Sequence, residues 1–280
     1  MLAVATSAEL AAETAAARTG GLEVGFVPTM GALHDGHRAL IAQARWETGY
    51  VVVSVFVNPL QFGPGEDFAA YPRDLERDLA ALDAEGVDLV FHPSDKEMWP
   101  APPVVRVSAG ALAERLEGAF RPGHLDGVAT VVAKLFHLVG PSAAFFGQKD
   151  AQQLALVRRM VADLAFPQRI VACPTVREPD GLALSSRNAA LSADDRARAL
   201  SLYRGLQAGL AAWRDGVTDP QRIEQAAAEE IRRTPGVELQ YAALAHPDTF
   251  EAPATAAAGQ VLAGAVRVGS TRLIDNVILG

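Results

Sequence analysis

The chain has 280 residues, of which 50% are hydrophobic and 21% are charged, and its net charge is −8. This length suits one large domain or two smaller ones, and the composition is that of a folded globular protein rather than a disordered one. The longest basic runs are the pairs Arg158-Arg159 and Arg232-Arg233. An acidic chain without a longer basic cluster is not expected to bind nucleic acid.

The single cysteine, Cys173, excludes an intrachain disulfide and a cysteine-based zinc site. It follows the apolar residues 170–172, so we expect a buried thiol in a strand. The N-terminal stretch lacks a basic region and is interrupted by Glu9 and Glu13, which argues against a signal peptide. The longest strongly apolar run, 51–57, is too short to span a bilayer. We therefore expect a cytoplasmic protein that has no membrane partner.

The first two-thirds of the chain alternates strand-like and helix-like segments. In chain order we predict a strand at 22–27, a turn at 28–31, a helix at 36–47, a strand at 51–57, a loop at 58–71, a helix at 73–85, a strand at 87–91, a loop at 92–103, a helix at 125–139, a strand at 143–146, a helix at 150–164 and a strand at 169–173. Apart from Ser54, the run 51–57 is β-branched and aromatic, as in a strand that is buried on both faces. Such alternation predicts a parallel sheet with right-handed crossovers.

Ligands of parallel sheets bind at the carboxyl ends of the strands. In this chain those ends are followed by the turns after Val27, Val57, Phe146 and Cys173. We therefore expect the functional residues to lie in these turns.

The pattern changes near Val176. Two helices are predicted at 193–213 and 220–233, and three strands at 237–244, 260–268 and 271–279. Gly269-Ser270 is typical of a tight hairpin turn between the last two strands, and the alanine-rich stretch 252–258 is predicted to be a loop. The expected organisation is a Rossmann-like domain at 1–176 and a smaller α+β domain at 177–280.

The first chemically informative segment is Pro28-Thr29-Met30-Gly31-Ala32-Leu33-His34-Asp35-Gly36-His37. It follows a predicted strand and begins a predicted helix, whose N-terminus attracts anions. His34 and His37 are three residues apart and can share one face of the first turn, while Gly36 leaves room for a phosphate. Imidazoles in this place can donate hydrogen bonds to phosphate oxygens. The alternatives are a capping histidine beside an incidental second one, or half of a metal site, for which no nearby Cys or His supplies further ligands.

The second segment is Gly147-Gln148-Lys149-Asp150, which follows the strand at 143–146. Gly147 allows a sharp exit from the strand, Lys149 supplies a mobile positive charge, and Asp150 can cap the next helix. The segment suits phosphate binding. Taken alone, however, Lys149 could equally be a solvated surface residue.

The third segment is Asp180-Gly181-Leu182-Ala183-Leu184-Ser185-Ser186-Arg187-Asn188, at the predicted domain junction. Two hydroxyl groups and a guanidinium in succession suit phosphate oxygens. The position suggests a mobile flap that closes over a nucleotide. The alternative is an ordinary helix cap formed by Ser186 or Asn188.

The fourth segment is Phe56-Val57-Asn58-Pro59-Leu60-Gln61-Phe62-Gly63, followed by Tyr71-Pro72-Arg73. Neutral amides beside apolar side chains suit a small hydroxylated organic acid that carries methyl groups. No side chain of the amide-bearing stretch titrates near neutral pH, so this segment is expected to bind rather than to catalyse. A structural Asn-Pro turn is the alternative.

Together and in this order, these segments resemble the pantothenate synthetase (pantoate–β-alanine ligase) family, within the nucleotidyl transferases that share the His-Xaa-Gly-His motif. The matching stretches are 28–37, 56–62, 71–73, 145–150, 152–154 and 185–188, so that the resemblance covers essentially the whole chain. Several motifs in register are more specific than the histidine motif alone, which class I aminoacyl-tRNA synthetases also have.

The resemblance implies an α/β fold with a Rossmann-like, doubly wound parallel sheet and a smaller C-terminal α+β lid domain, usually in a homodimer. It implies that pantoate attacks the α-phosphate of ATP, with Mg²⁺ as cofactor, to give pantoyl adenylate and pyrophosphate. β-Alanine then attacks the adenylate to give pantothenate and AMP.

The resemblance also implies roles for individual residues. Those expected to bind ATP are Met30, His34, His37, Gly147, Lys149, Asp150, Val176, Leu184, Ser185, Ser186 and Arg187. Those expected to bind pantoate or β-alanine are Met30, Asn58, Gln61, Tyr71 and Gln153. Those expected to be catalytic, because they hold the phosphates and stabilise developing charge, are His34, His37, Lys149, Ser185, Ser186 and Arg187. Which residues would contact the metal stays open.

Two positions depart from the family pattern. Ala151 stands where the family often has tyrosine, and Leu184 stands where methionine is common. Neither change removes a hydrogen-bond donor that the site is expected to use, so both are interpreted as packing changes.

Three other functions are alternatives to this interpretation. Another nucleotidyl transferase would share His34 and His37 but would not need the Gln61 and Gln153 pair. A non-catalytic nucleotide-binding module is disfavoured because the cationic and imidazole side chains are all present. A tRNA synthetase fragment is disfavoured by the acidic charge and the absence of an anticodon-binding extension.

Overall fold

The computed structural model describes residues 1–66 and 68–280, so that Asp67, within the predicted loop at 58–71, lies outside the described residues. The chain divides into two compact units. The first comprises Met1–Gly147 and Leu156–Cys173, and the second comprises Gln148–Ala155 and Pro174–Gly280. The functional division between 176 and 177 stays a prediction.

The first unit contains a sheet of six strands, in the order β1-β4-β3-β2-β5-β6, in which every pair is parallel. The strands are β1 Leu2–Val4, β2 Val24–Thr29, β3 Tyr50–Val55, β4 Leu89–Phe91, β5 Ala143–Gly147 and β6 Arg169–Cys173. The helices are α1 Ser7–Thr19, α2 Asp35–Glu47, α3 Leu75–Ala84, α4 Asp95–Met98, α5 Glu117–Phe120, α6 His124–Val139 and α7 Ala151–Asp163, of which α7 begins in the second unit.

Burial on both faces explains the apolar character of the central strands. Val51, Val52 and Val53 of β3 are each at most 1% exposed, as is Phe26 of β2. Phe26 packs edge-on against Phe136 of α6, with ring centroids 6.4 Å apart. This arrangement confirms the predicted α/β class and the parallel sheet.

The strand order reverses direction at β2. From β2 the chain passes outward to β3 and β4, and then returns to β5 and β6 on the other side. Gly25 pairs with Ala143 and Phe26 with Ala144, so the carboxyl ends of β2 and β5 are neighbours. Ligands of open α/β sheets bind at such a reversal, outside the carboxyl ends of the strands.

The second unit contains an antiparallel sheet in the order β7-β8-β9, covered by two helices. Its elements are α8 Ala193–Arg214, α9 Pro220–Arg232, β7 Val237–Ala245, β8 Val261–Val268 and β9 Thr271–Ile278. Gly205 of α8 permits close approach to α9, because a Cβ atom there would lie 2.4 Å from Cγ1 of Ile231. The predicted helices, strands and hairpin at Gly269-Ser270 are confirmed.

Several element boundaries differ from the predictions. Pro28 and Thr29, predicted as a turn, are the last residues of β2. Pro28 lies beyond the residues of β2 that pair with β5, so its missing N–H is tolerated in a central strand. The strand predicted at 51–57 ends at Val55. The segment 92–103, predicted as a loop, contains the short helix α4. The sequence patterns also did not identify α1, α5 and β1, the last because it has only three residues.

Cys173 is the last residue of β6 and is 3% exposed, which confirms the predicted buried thiol. Burial raises its pKa to about 11. Separately, in the part of the chain that the structure describes, no helix is both long and apolar enough to cross a membrane.

Candidate active site

The turn that leaves β2 has a left-handed backbone. Gly31 has φ 77° and Ala32 has φ 51°. Asp78 of α3, which is 4% exposed, accepts hydrogen bonds from the N–H groups of Ala32 and Leu33, both at 2.9 Å. A Cβ atom at Gly31 would lie 2.6 Å from Oδ2 of Asp78, so only glycine fits at this position. Asp78 therefore holds the turn that delivers the histidine pair.

His34 and His37 cap the N-terminus of α2 reciprocally. Nδ1 of His34 accepts a hydrogen bond from the N–H of Gly36 at 3.1 Å, and Nδ1 of His37 accepts one from the N–H of His34 at 3.3 Å. This is the geometry of a capping box, here made by two imidazoles instead of a hydroxyl and a carboxylate. The capping role and the phosphate role proposed from the sequence are thus compatible, because each cap is made by the Nδ1 atom of the ring.

The caps determine the tautomer of both rings. A nitrogen that accepts a backbone N–H carries no proton, so in the neutral form of each ring the proton is on Nε2. Each imidazole can therefore present an Nε2–H donor at the positive end of α2. The ring centroids of His34 and His37 lie 4.1 Å apart, so two donors occur together where an anion is favoured.

Gln61 ends a short 3₁₀ helix, Pro59–Gln61, that follows β3. Its Nε2 lies 3.3 Å from the sulfur of Met30, and its Oε1 accepts a hydrogen bond of 3.0 Å from Nδ2 of Asn58. Asn58, 1% exposed, also donates to the carbonyl of Gly127 at 3.1 Å. Three predicted substrate residues, Met30, Asn58 and Gln61, are therefore in one cluster. Within it, Asn58 orients the Gln61 amide.

A partly buried ionic cluster contacts the Gln61 backbone, and the sequence patterns did not identify it. Arg121 forms two hydrogen bonds with the Glu66 carboxylate, at 2.7 and 2.6 Å. Arg121 also approaches Nε2 of His124 at 2.9 Å, while Nδ1 of His124 lies 2.8 Å from the Gln61 carbonyl. Because Arg121 can only donate, His124 accepts at Nε2 and donates from Nδ1 to Gln61. No local signal marked these residues, since Gln61 and His124 are 63 positions apart.

This cluster has shifted pKa values. Burial and the adjacent Arg121 charge lower the pKa of His124 from 6.5 to about 4. Burial alone would raise the pKa of Glu66, but the hydrogen bonds and charge of Arg121 lower it from 4.5 to about 2. At neutral pH the cluster therefore contains a neutral imidazole and a charge-neutralised Glu66–Arg121 pair.

The cluster predicts that acid destabilises the fold in two steps. Between pH 6.5 and about 4 the unfolded chain binds a proton at His124 that the folded chain does not, so stability falls as the pH falls through this window. Glu66 adds a loss between pH 4.5 and about 2 by the same reasoning. His124→Asn keeps a hydrogen-bond donor to Gln61 but does not titrate. Between pH 7 and 4.5 we expect its free energy of unfolding to fall by about 2 kcal/mol less than that of the unsubstituted protein.

Urea unfolding at the two pH values measures this difference. His137→Asn, at an exposed position of the same helix, is the control and should leave the pH dependence unchanged. Equal pH dependence in His124→Asn and the unsubstituted protein would contradict a neutral, partly buried His124.

Tyr71, the remaining predicted substrate residue of the first unit, is 7% exposed, and its ring centroid is 6.0 Å from that of Phe62. A pocket of about 210 Å³ lies at the carboxyl ends of β3 and β4. Of the predicted site residues only Met30 lines it, together with residues such as Arg73 and His92.

In the second unit, Gln148–Asp150 form a 3₁₀ turn directly before α7. Nζ of Lys149 lies 3.7 Å from Oδ1 of Asp150, and the Lys149 side chain is 18% exposed. At Gly147, which ends β5, an added Cβ would meet no atom within 4 Å. Protein packing therefore does not require glycine at 147, although the sequence suggested a sharp strand exit there.

The predicted flap, 180–188, has two structurally different parts. The first belongs to a tight hairpin in which Arg177 bridges to Ala183 and the N–H of Leu184 donates to the carbonyl of Val176 at 3.0 Å. In the second, Oγ of Ser185 accepts the N–H of Arg187 at 3.3 Å and caps the 3₁₀ helix Ser186–Ala190. Ser185, rather than the suggested Ser186 or Asn188, is therefore the capping residue.

Gln153 lies one turn along α7 from Lys149 and is partly buried, like Val176 and Leu184. In the second unit, Lys149 and Asp150 thus lie in one 3₁₀ turn, and Gln153 lies in the first turn of the helix α7 that follows. The same unit places Val176 beside Leu184 at the base of the hairpin.

Comparisons with known proteins show which family the chain belongs to. A family model described as pantoate-β-alanine ligase matches residues 3–278. The chain belongs to the pantoate–β-alanine ligase family. A relative from Acidothermus cellulolyticus, named pantothenate synthetase, is 57% identical over 258 residues, which cover 91% of this chain and 84% of the relative.

Two solved structures extend the likeness to the fold. A crystal structure of pantothenate synthetase from Thermus thermophilus is 50% identical, with a TM-score of 0.93, over 100% of this chain and 99% of the other. A pantoate-β-alanine ligase from Francisella tularensis, crystallised with β,γ-ATP and β-alanine, is 33% identical with a TM-score of 0.82. That likeness covers 100% of this chain and 98% of the other, so membership in the family extends over both units.

Proposed function

We propose that this chain is a pantoate–β-alanine ligase that forms AMP. In the first step a pantoate carboxylate oxygen attacks the α-phosphorus of ATP, giving pantoyl adenylate and releasing pyrophosphate. In the second, the β-alanine amine attacks the acyl carbon, so that pantothenate forms and AMP leaves. The observation that carries the proposal is the imidazole pair His34 and His37, whose Nε2–H donors are fixed at the N-terminus of α2.

The histidine pair suits charge stabilisation during attack on phosphorus. Oxygen atoms of the transferring group gain negative charge in the transition state, and preoriented donors in a partly buried site stabilise that charge strongly. Since both Nδ1 atoms already accept backbone N–H groups, neither ring needs to reorient for the reaction. The proposed role of His34 and His37 is therefore to bind the ATP phosphates and stabilise developing charge.

The second group of proposed phosphate ligands belongs to the second unit. Lys149, Ser185, Ser186 and Arg187 supply an ammonium group, two hydroxyls and a guanidinium, all suited to phosphate oxygens. Gly147 and Asp150 are proposed to meet the ribose, which fits the open space beside Gly147. Val176 and Leu184, at the base of the hairpin, are proposed to contact the adenine side of ATP.

The proposed pantoate ligands are neutral. Gln61 and Gln153 would bind the hydroxyl groups and carboxylate, and Met30 would contact the methyl groups. The Gln61 amide is oriented by Asn58 through its Oε1, so its Nε2–H₂ group is directed towards Met30. Asn58 and Tyr71 are proposed to lie towards the acyl and β-alanine end. We further propose that residues 1–176 bind nucleotide and pantoate while 177–280 act as a lid that protects the adenylate from water.

Mg²⁺ is proposed to accompany ATP. Within residues 1–66 and 68–280 no group of three His, Cys, Asp or Glu side chains could hold a metal ion. Both oxygens of the buried Asp78 accept backbone N–H groups. A cation bound mainly through ATP phosphates and water fits this chain better than a protein-built cage, and it would neutralise phosphate charge.

The assembly and compartment are also proposals. The family resemblance implies a homodimer. Val104 and Val105 are 98% and 87% exposed, and a dimer interface could bury these two apolar side chains. The cytoplasm stays the predicted compartment. Another nucleotidyl transferase activity is disfavoured because Met30, Asn58 and Gln61 form a neutral cluster suited to a small hydroxy acid.

Isotope exchange tests the two-step reaction. With ATP, Mg²⁺ and pantoate, but without β-alanine, we expect exchange of labelled pyrophosphate into ATP that depends on pantoate. The segments 28–37, 56–63, 71–73, 147–150 and 180–188 contain no Ser-His or Cys-His nucleophile pair. Direct attack by the substrate carboxylate is therefore expected, without an acyl-enzyme intermediate. An ADP product, or exchange that requires β-alanine, would contradict the adenylate mechanism even if pantothenate formed.

A further inference from the structure

Two adjacent polar residues of β9, Asp275 and Asn276, are each only 4% exposed. Nδ2 of Asn276 donates to the carbonyl of Gln148 at 2.8 Å and to that of Lys149 at 2.9 Å. The two N–H bonds of one amide therefore hold the backbone of the 3₁₀ turn that carries Lys149. Buried amides of this kind are costly unless their hydrogen bonds are satisfied, so the contact constrains the turn strongly.

Asp275 reaches a different segment, because successive side chains of a strand point in opposite directions. Its carboxylate forms a bidentate pair with Arg177, with distances of 2.5 and 2.8 Å. Arg177 also donates to the carbonyls of Gly181 and Asn276, each at 3.0 Å. The guanidinium therefore ties the hairpin to β9 at several points.

The hairpin packs closely against the Tyr203 ring at this attachment. The guanidinium of Arg177 lies 4.8 Å from the centroid of the Tyr203 ring. Gly181, with φ 100°, packs against the same ring, where an added Cβ would lie 2.1 Å from Cε1 of Tyr203. The chain that leaves this hairpin continues directly into Leu184, Ser185, Ser186 and Arg187.

Lys149 is electrostatically coupled to the same strand. Burial raises the pKa of Asp275, while hydrogen bonds and charge from Arg177, and to a smaller extent the Lys149 charge, act in the opposite direction. The Lys149 charge therefore favours the ionised form of Asp275. Asn276 thus contacts the Lys149 turn. Its neighbour Asp275 contacts Arg177, in the hairpin that leads into the serine-arginine segment.

We propose that Asp275 and Asn276 are positioning residues that align the Lys149 turn and the 177–183 hairpin, together with the serine-arginine segment that follows it, on one ATP phosphate chain. This inference rests on the proposed function. Neither residue needs to touch the substrate. Asn276 acts through the backbone of Lys149, and Asp275 acts through Arg177.

Asn276→Asp is the most direct test. It keeps the shape of the side chain but replaces the amide donor with a carboxylate oxygen, which repels the carbonyl oxygens of Gln148 and Lys149. We expect the KM for ATP to rise and kcat/KM for ATP in pantoate-dependent exchange to fall about 100-fold, since small misplacements of a catalytic group have effects of this size. The KM for pantoate should change little. Gln240 of β7, whose Oε1 accepts a hydrogen bond from Nε of Arg272, supplies the matched control. Gln240→Glu makes the same amide-to-acid change and should stay near the unsubstituted activity.

A double-mutant cycle separates positioning from general destabilisation, and it uses Asn276→Ala in case the aspartate variant does not fold. If Asn276 acts through Lys149, Asn276→Ala should lower exchange strongly in the unsubstituted background but little in a Lys149→Ala background. Equal losses in both backgrounds would overturn the proposal, because they would show an effect independent of Lys149.

Binding provides a readout that does not depend on turnover. Calorimetry with a non-hydrolysable β,γ-substituted ATP analogue and Mg²⁺ should show weaker binding to Asn276→Asp than to the unsubstituted protein and Gln240→Glu. Unchanged binding would overturn the inference. If the unsubstituted protein bound the analogue but showed no pantoate-dependent exchange, the proposed reaction would fail, while the calorimetric comparison would still decide the role of Asn276.

Discussion

Replacing His37 by asparagine is expected to lower kcat about 100- to 1,000-fold, the usual effect of removing one donor to a developing oxyanion. Asparagine keeps an acceptor near the position of Nδ1 and can preserve the hydrogen bond from the N–H of His34, which is 3.3 Å long. It has no group in place of Nε2–H. The loss should therefore appear in kcat for pyrophosphate exchange, with little change in the KM for pantoate and in the thermal unfolding temperature.

His37→Gln supplies the reciprocal control, because its amide nitrogen reaches the region of Nε2 while it lacks the acceptor at Nδ1. It should retain more activity than His37→Asn but lose more stability, since the cap at the start of α2 is weakened. If His37→Asn kept a near-normal kcat, His37 would act only as a cap and the proposed stabilisation of charge would be wrong.

Replacing Lys149 by alanine is expected to weaken ATP binding and to slow adenylate formation, with a loss of about 100-fold in kcat/KM for ATP. The Lys149 side chain is 18% exposed and its ammonium group lies beside Asp150, so the charge is placed just before α7 rather than freely solvated. Lys149→Arg should restore only part of the activity, because the planar guanidinium is broader than a point charge and cannot occupy the same position. Steady-state kinetics of pantoate-dependent exchange measure both effects.

Arg159→Ala is the matched control for this prediction. Arg159 is on α7, the helix that follows Lys149, and forms a half-exposed ion pair with Asp163 at 2.7 Å. Removing it eliminates one positive charge but should change ATP affinity little, because exposed pairs of this kind contribute weakly. Full recovery by Lys149→Arg, or equal losses in Lys149→Ala and Arg159→Ala, would show that general positive charge is sufficient.

Local sequence patterns predicted most of the fold. The apolar run at β3, the alternation of strands and helices, and the Gly269-Ser270 hairpin follow from side-chain periodicity and turn chemistry, which act over a few residues. The family was also identifiable from sequence, because its motifs are contiguous and occur in a fixed order. The short strand β1 was not predicted, since three residues are too few to show a period.

What the sequence determined by itself was therefore the α/β class, the family and a set of candidate residues. The tertiary structure alone decided how those residues are held. Asp78 and Ala32 are 46 positions apart, and Asn276 and Lys149 are 127 apart, so no local pattern could pair them. The tautomers of His34 and His37 likewise depend on which backbone N–H groups reach each ring. Buried hydrogen bonds are made only when folding brings distant groups within about 3 Å, and orientation is consequently a property of the fold.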